Sequence, residues 1–131
     1  MEQARILKII WASFMISIAV FQVVLFVTAP EGAFDLNLLA TVGAMATSSA
    51  AFGLVGVPTT MRSAPAQTSF IMRFACFESV ALFGFVGGFV TGLPAVSLVA
   101  AVAAWGLMLS VFPTDERFTA WEVRRLGETD P

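Results

Sequence analysis

Glu78 is the one acidic residue set deep inside an apolar stretch of this sequence, Phe70 to Gly92, which is long enough to cross a bilayer. A carboxylate at the centre of hydrocarbon costs about 2.5–3.5 kcal/mol on insertion scales. The group must therefore be neutral, hydrogen-bonded, ion-paired or turned toward a polar cavity. Two readings follow. In the chemical one, the acid rests protonated, or holds a cation such as Na+, and ionises when a path to water or a counter-charge opens. In the structural one, a protonated acid is hydrogen-bonded to Ser48 or Ser49 and pins the register of two helices.

Depth selects the partners. Counted inward from Ser69 at about 1.5 Å per helical residue, Glu78 lies roughly 13 Å deep. Ser17 of the first apolar run and Thr47, Ser48 and Ser49 of the second fall at a similar level, whereas the fourth run offers only Ala103 and Ala104 there. Gln22 sits nearer the opposite end and is a poorer partner. At 100° per residue Glu78 shares a face with Phe74, Ala81, Leu82 and Phe85. Arg73 points more than a third of a turn away, so it is expected to reach toward water at the membrane edge.

Other chemistry is sparse. Histidine is absent, which removes the commonest general base and metal ligand, and no nucleophile–base constellation remains. No enzyme, metal site or cofactor is expected. The single cysteine, Cys76, reads as a small packing side chain. A net charge of −2 argues against a nucleic-acid face.

The elements that must position Glu78 are read from hydropathy. With 58% hydrophobic and 12% charged residues, the chain belongs in lipid as an all-α integral membrane bundle, a single domain spanning residues 1–131. Four transmembrane helices are expected over about residues 6–28, 36–57, 68–91 and 95–112. The first run is too long for a signal peptide and is read as retained. The second is rich in small residues and is expected at the centre, ending at Pro58. Gly92-Leu93-Pro94 reads as a tight turn between the third and fourth. The tail, 113–131, reads as a short amphipathic helix from an N-cap at Thr114 to a stop at Gly127, with 128–131 frayed. Its Phe118 and Trp121 share a face suited to the headgroup layer, with Arg124 and Arg125 reaching outward.

The seven basic residues cluster at the N-terminus (Arg5, Lys8), around the second loop (Arg62, Arg73) and in the tail (Arg117, Arg124, Arg125). Four helices bring these zones to one side. The positive-inside rule makes that side cytoplasmic, with both termini there.

Glycine supplies the packing signals. Gly84, Gly88 and Gly92 form a stripe along the third helix, and Gly43 and Gly53 lie on the second. Such positions let helices approach closely, either within the bundle or between copies of the chain.

The central hairpin resembles the ring-forming proteolipid (c-type) subunit of rotary ATPases. The resemblance rests on the small-residue second helix, the loop Arg62-Ser63-Ala64-Pro65, and the carboxylate in Phe77-Glu78-Ser79-Val80-Ala81-Leu82-Phe83-Gly84. It implies that Glu78 carries H+ or Na+, with Ser79 or a residue of the second helix as co-ligand. The whole chain also resembles small four-helix bacterial inner-membrane proteins. The expected function is a self-associating, ring- or channel-like membrane subunit. The alternative is a structural accessory subunit of a larger membrane complex, without ion chemistry. Expected partners are the bilayer and either further copies or other membrane subunits.

Overall fold

The computed structural model describes residues 2–28 and 30–129, and among them the chain is helical with no strand. The elements are α1 (Glu2–Thr28), α2 (Leu36–Ala51), a π turn (Phe52–Gly56), α3 (Val57–Thr60), α4 (Ala66–Thr91), α5 (Pro94–Ser110) and α6 (Asp115–Thr129). Ala29, at the start of the first loop, and residues 130–131, in the tail expected to fray, lie outside the described residues. Three stretches are long and apolar enough to cross a membrane: α1, Leu36–Thr60 and α4. A fourth candidate is the pair α5 and α6, bent by 69° at the break between them.

The helix ends follow local chemistry. Asp35 caps α2, its carboxylate accepting from the amides of Asn37 (2.9 Å) and Leu38 (3.2 Å). Gly92 ends α4 in the left-handed region at φ 68°, where a side chain would be strained, and Pro94 opens α5. Thr114 accepts from the amide of Arg117 (3.2 Å) at the start of α6. That helix runs through Gly127 to Thr129, so Gly127 is not the stop that its residue type announces.

Pro58 does not end the second span either. The helical path continues to Thr60 because the backbone widens into the π turn just before the proline. The amide of Val57 donates to Phe52, five residues back. The next rung of that ladder would need an N–H on Pro58, which has none, so the carbonyl of Gly53 is left without a helical partner. The Nε of Arg73 supplies the missing bond at 3.0 Å. Arg73 is thus turned onto a neighbouring backbone instead of reaching for water.

α4 forms the centre of the bundle, and α1, α2 and α5 pack around it. The small-residue helix α2 is peripheral, with Val42 its one buried residue. The reversal has a simple cause. Small side chains have little area to bury, whereas Phe74 and Phe77 of α4 are fully enclosed and join Leu7, Ile18 and Met108 in one core. Outside that core the bundle is apolar. Val27 is 79% exposed, Val99 70% and Ile16 64%. In water each such side chain would forgo about 1.5–3 kcal/mol of burial, a loss that a hydrocarbon solvent removes.

Candidate functional site: the Glu78 crevice

Glu78 lies on α4 facing α1. Ser17, on the third turn of α1 before its end, donates to Glu78 Oε1 at 2.6 Å, the short end of the range for O–H···O bonds. The two residues, with Ser13 and Phe14, line an open crevice of about 220 Å³ at the α1–α4 seam. Phe14 closes one wall, its ring 6.1 Å from that of Phe74. Ser13 contributes little polarity, because its hydroxyl donates to the carbonyl of Ile9 in its own helix (3.0 Å).

Of the hydroxyls placed at this depth by sequence, Ser17 alone is bonded to the acid. Thr47 and Ser48 turn back to the carbonyls of Gly43 and Ala44, each at 2.8 Å. Ser49 has no bond to Glu78 among the described residues. Ser79, the co-ligand that the proteolipid resemblance implies, donates to Ala75 of its own helix at 2.8 Å. The reason is angular. α1 and α2 sit on different faces of α4, and Glu78 points to the α1 face. Depth matched both helices to Glu78, but azimuth admits only one.

The local chemistry is nevertheless coherent. A serine hydroxyl donates to an ionised carboxylate and accepts from a protonated carboxyl. Ser17 can therefore keep one hydrogen bond to Glu78 in either state. Among the described residues there is no group of three or more His, Cys, Asp or Glu able to hold a metal ion.

The glycines divide into two kinds. Gly84 and Gly88 are buried against α5: a Cβ on Gly84 would collide with Ala100, and one on Gly88 would come within 3.1 Å of Ser97. A Cβ on Gly53 would come within 2.6 Å of the Phe77 ring, and one on Gly92 within 2.8 Å of the backbone of Gly32. Gly43 has open space around it. It lies in an apolar groove of about 360 Å³ between α2 and α5, floored by Val80 and Gly84 of α4.

The tail differs from its reading as a headgroup-facing helix. Phe118 is only 2% exposed and packs into the core. Trp121 donates to the carbonyl of Ala64 at 3.0 Å. Arg125 does not extend outward but chelates Glu122, with Nε at 2.9 Å and Nη2 at 2.6 Å. Glu122 also accepts from the amide of Ala66 at 2.7 Å, so a carboxylate from α6 caps the N-terminus of α4. Arg124 is exposed.

One polar pair escaped the sequence reading. Gln22 Nε2 donates to Ser97 Oγ at 2.9 Å, and the serine hydroxyl lies 3.2 Å from Gln22 Oε1. The pair is buried and ties α1 to α5. Its signal was available: each is a lone polar residue near the same end of its apolar run.

The chain matches no protein-family model, no curated protein and no solved structure.

Proposed function

We propose that the chain is a non-enzymatic subunit of a bacterial inner membrane that associates with further copies of itself and carries, in Glu78, a carboxyl group that takes up and releases a proton. The observation that carries this reading is the 2.6 Å bond from Ser17 to an acid in a crevice open at the side of an apolar bundle. A proton fits better than a metal cation. Hard cations such as Mg2+ and Ca2+ take about six or more oxygen ligands, and here one hydroxyl meets one carboxylate. The likeness to rotary-ATPase proteolipids enters only at this level, a membrane carboxyl that exchanges an ion. In the proposed topology α5 supplies a fourth span, which brings both termini and all three basic zones to the cytoplasmic side. Labelling of single cysteines placed at each end, from either side of sealed vesicles, checks that arrangement.

Self-association draws on the groove between α2 and α5. Its α2 wall presents Gly43 and Thr47, and Ala46 and Ala50, each pair four residues apart and open to a neighbouring helix. The Gly84–Gly88 stripe is already filled by α5 and is not the contact.

A second reading, a structural accessory subunit, is favoured by one feature. The Ser17–Glu78 bond joins two helices, and no second titratable side chain lines the crevice among the described residues. Labelling with a hydrophobic carbodiimide in liposomes separates the two. The proton-exchange reading expects Glu78 to be modified at acid pH, protected at alkaline pH, and unlabelled as Glu78→Gln, whose amide keeps the bond to Ser17. Absence of labelling at every pH, in a protein that remains folded, contradicts it and leaves the structural reading.

A further inference from the structure

The geometry points to a second site, nearer the N-terminal end of α4 than the Glu78 crevice: a pocket of three arginines that binds a phosphate group, supplied by an anionic phospholipid headgroup or by free phosphate. A cavity of about 320 Å³ lies where α3, α4, α5 and α6 meet. Arg73, Arg117 and Arg124 line it together with Ser110, Trp121 and apolar walls from Pro58, Phe70, Val111 and Ala120, and no acidic side chain is in that lining. Arg73 and Arg117 line the same pocket, so their like charges repel.

The guanidiniums are held but not neutralised. Arg73 uses Nε on the Gly53 carbonyl, and no hydrogen bond or ion pair engages its Nη atoms among the described residues. Arg117 is anchored through Nη1 to the carbonyls of Ser110 (2.8 Å) and Phe112 (3.2 Å). Arg124 has no hydrogen-bond or ion-pair partner among the described residues. The nearby acid on α6, Glu122, is occupied by Arg125 and the Ala66 amide. Converging like charges beside an apolar wall are costly unless an anion completes them. Guanidinium forks match the oxygens of phosphate. The pocket is lined from both sides of the 69° bend between α5 and α6, at the end of the spans that the basic residues assign to the cytoplasm. That is the level of lipid headgroups; Phe70 and Val111 are buried behind the arginines, and the half-buried Trp121 leaves part of its indole open to the glycerol and acyl chains. Basic pockets between transmembrane helices suit this class of ligand.

The inference rests on the bilayer placement but not on proton exchange at Glu78. Its test is native mass spectrometry of the full chain in mild detergent, titrated separately with phosphatidylglycerol, phosphatidylcholine and inorganic phosphate. Arg124→Gln removes a side chain that holds nothing else, and Arg62→Gln removes an equal charge from the exposed neighbouring loop. Carbonate extraction confirms that each variant is still membrane-integrated, and a failure there faults the bilayer placement instead. The expected result is a retained phosphatidylglycerol adduct, weakened about tenfold by Arg124→Gln and unchanged by Arg62→Gln. Resistance of that adduct to inorganic phosphate identifies the lipid as the source, and displacement by it, with direct phosphate binding, identifies a soluble phosphate. No adduct of either kind, equal retention of phosphatidylcholine, or equal loss in the two variants overturns the inference.

Discussion

Glycines of one residue type do opposite work in this bundle, and substitution separates them. A side chain on Gly84 meets Ala100 of α5 inside the packed core, so Gly84→Val is expected to destabilise the fold by about 1–3 kcal/mol, read as a lower unfolding temperature in detergent. Gly43 meets nothing within 4 Å. Gly43→Leu should leave the unfolding temperature close to that of the parent while filling the α2–α5 groove, and chemical cross-linking between copies in vesicles should fall. If cross-linking persists with the groove filled, the association surface lies elsewhere. At this scale the sequence could show that glycines sit at helix-packing spacing. It could not show which of them have a neighbour, because that depends on where α5 lies around α4. The same limit applied to Glu78, whose depth was legible and whose choice of Ser17 over Ser48 and Ser49 was not.

Helix boundaries were legible where local chemistry decides them. Asp35, Gly92 and Pro94 act as their types dictate, and the apolar runs end at Thr28 and Thr91. Pro58 was not legible, because its effect on the helix is answered by a residue fifteen positions later. The interaction is testable as a cycle. Arg73→Met leaves the Gly53 carbonyl unpaired and should cost about 1–3 kcal/mol. In a Pro58→Ala background the restored N–H can reach that carbonyl, so the same substitution should cost clearly less. Equal costs in both backgrounds would mean that Arg73 does not compensate the proline.

The docking of α6 carries a pH dependence. The Ala66 amide holds the Glu122 carboxyl below its usual range, outweighing the opposing effect of burial, and Arg125 adds to the lowering. A group held low in the folded state stabilises docking in full above its unfolded value of about 4.3. That contribution is lost as pH falls through the lower, folded value. Protection of the Ala66 amide, taken relative to an unstructured amide at the same pH, should therefore fall on acidification below about pH 4, and Glu122→Gln should remove the acid-dependent step. An amide equally protected throughout would show that α6 is held by Phe118 and Trp121 without help from the carboxylate.

For the whole molecule, composition was sufficient to name the solvent and the helical class, because no arrangement of so few charged residues hides so much apolar surface from water. Which helix occupies the centre was not legible. Helices that are apolar on every side show no preferred face, and centrality went to the helix with the bulkiest enclosed aromatics, α4, not to the one with the smallest residues. The proposed proton exchange rests on one acid at the side of that apolar bundle, hydrogen-bonded to one hydroxyl. Infrared difference spectroscopy of the protein reconstituted in bilayers measures this directly, by subtracting Glu78→Gln from the parent across a pH titration. Proton exchange at Glu78, as proposed, predicts a protonated-carboxyl C=O band at acid pH that converts reversibly to a carboxylate band as pH rises. A carboxyl band that never titrates, or a carboxylate band at every pH, would contradict it.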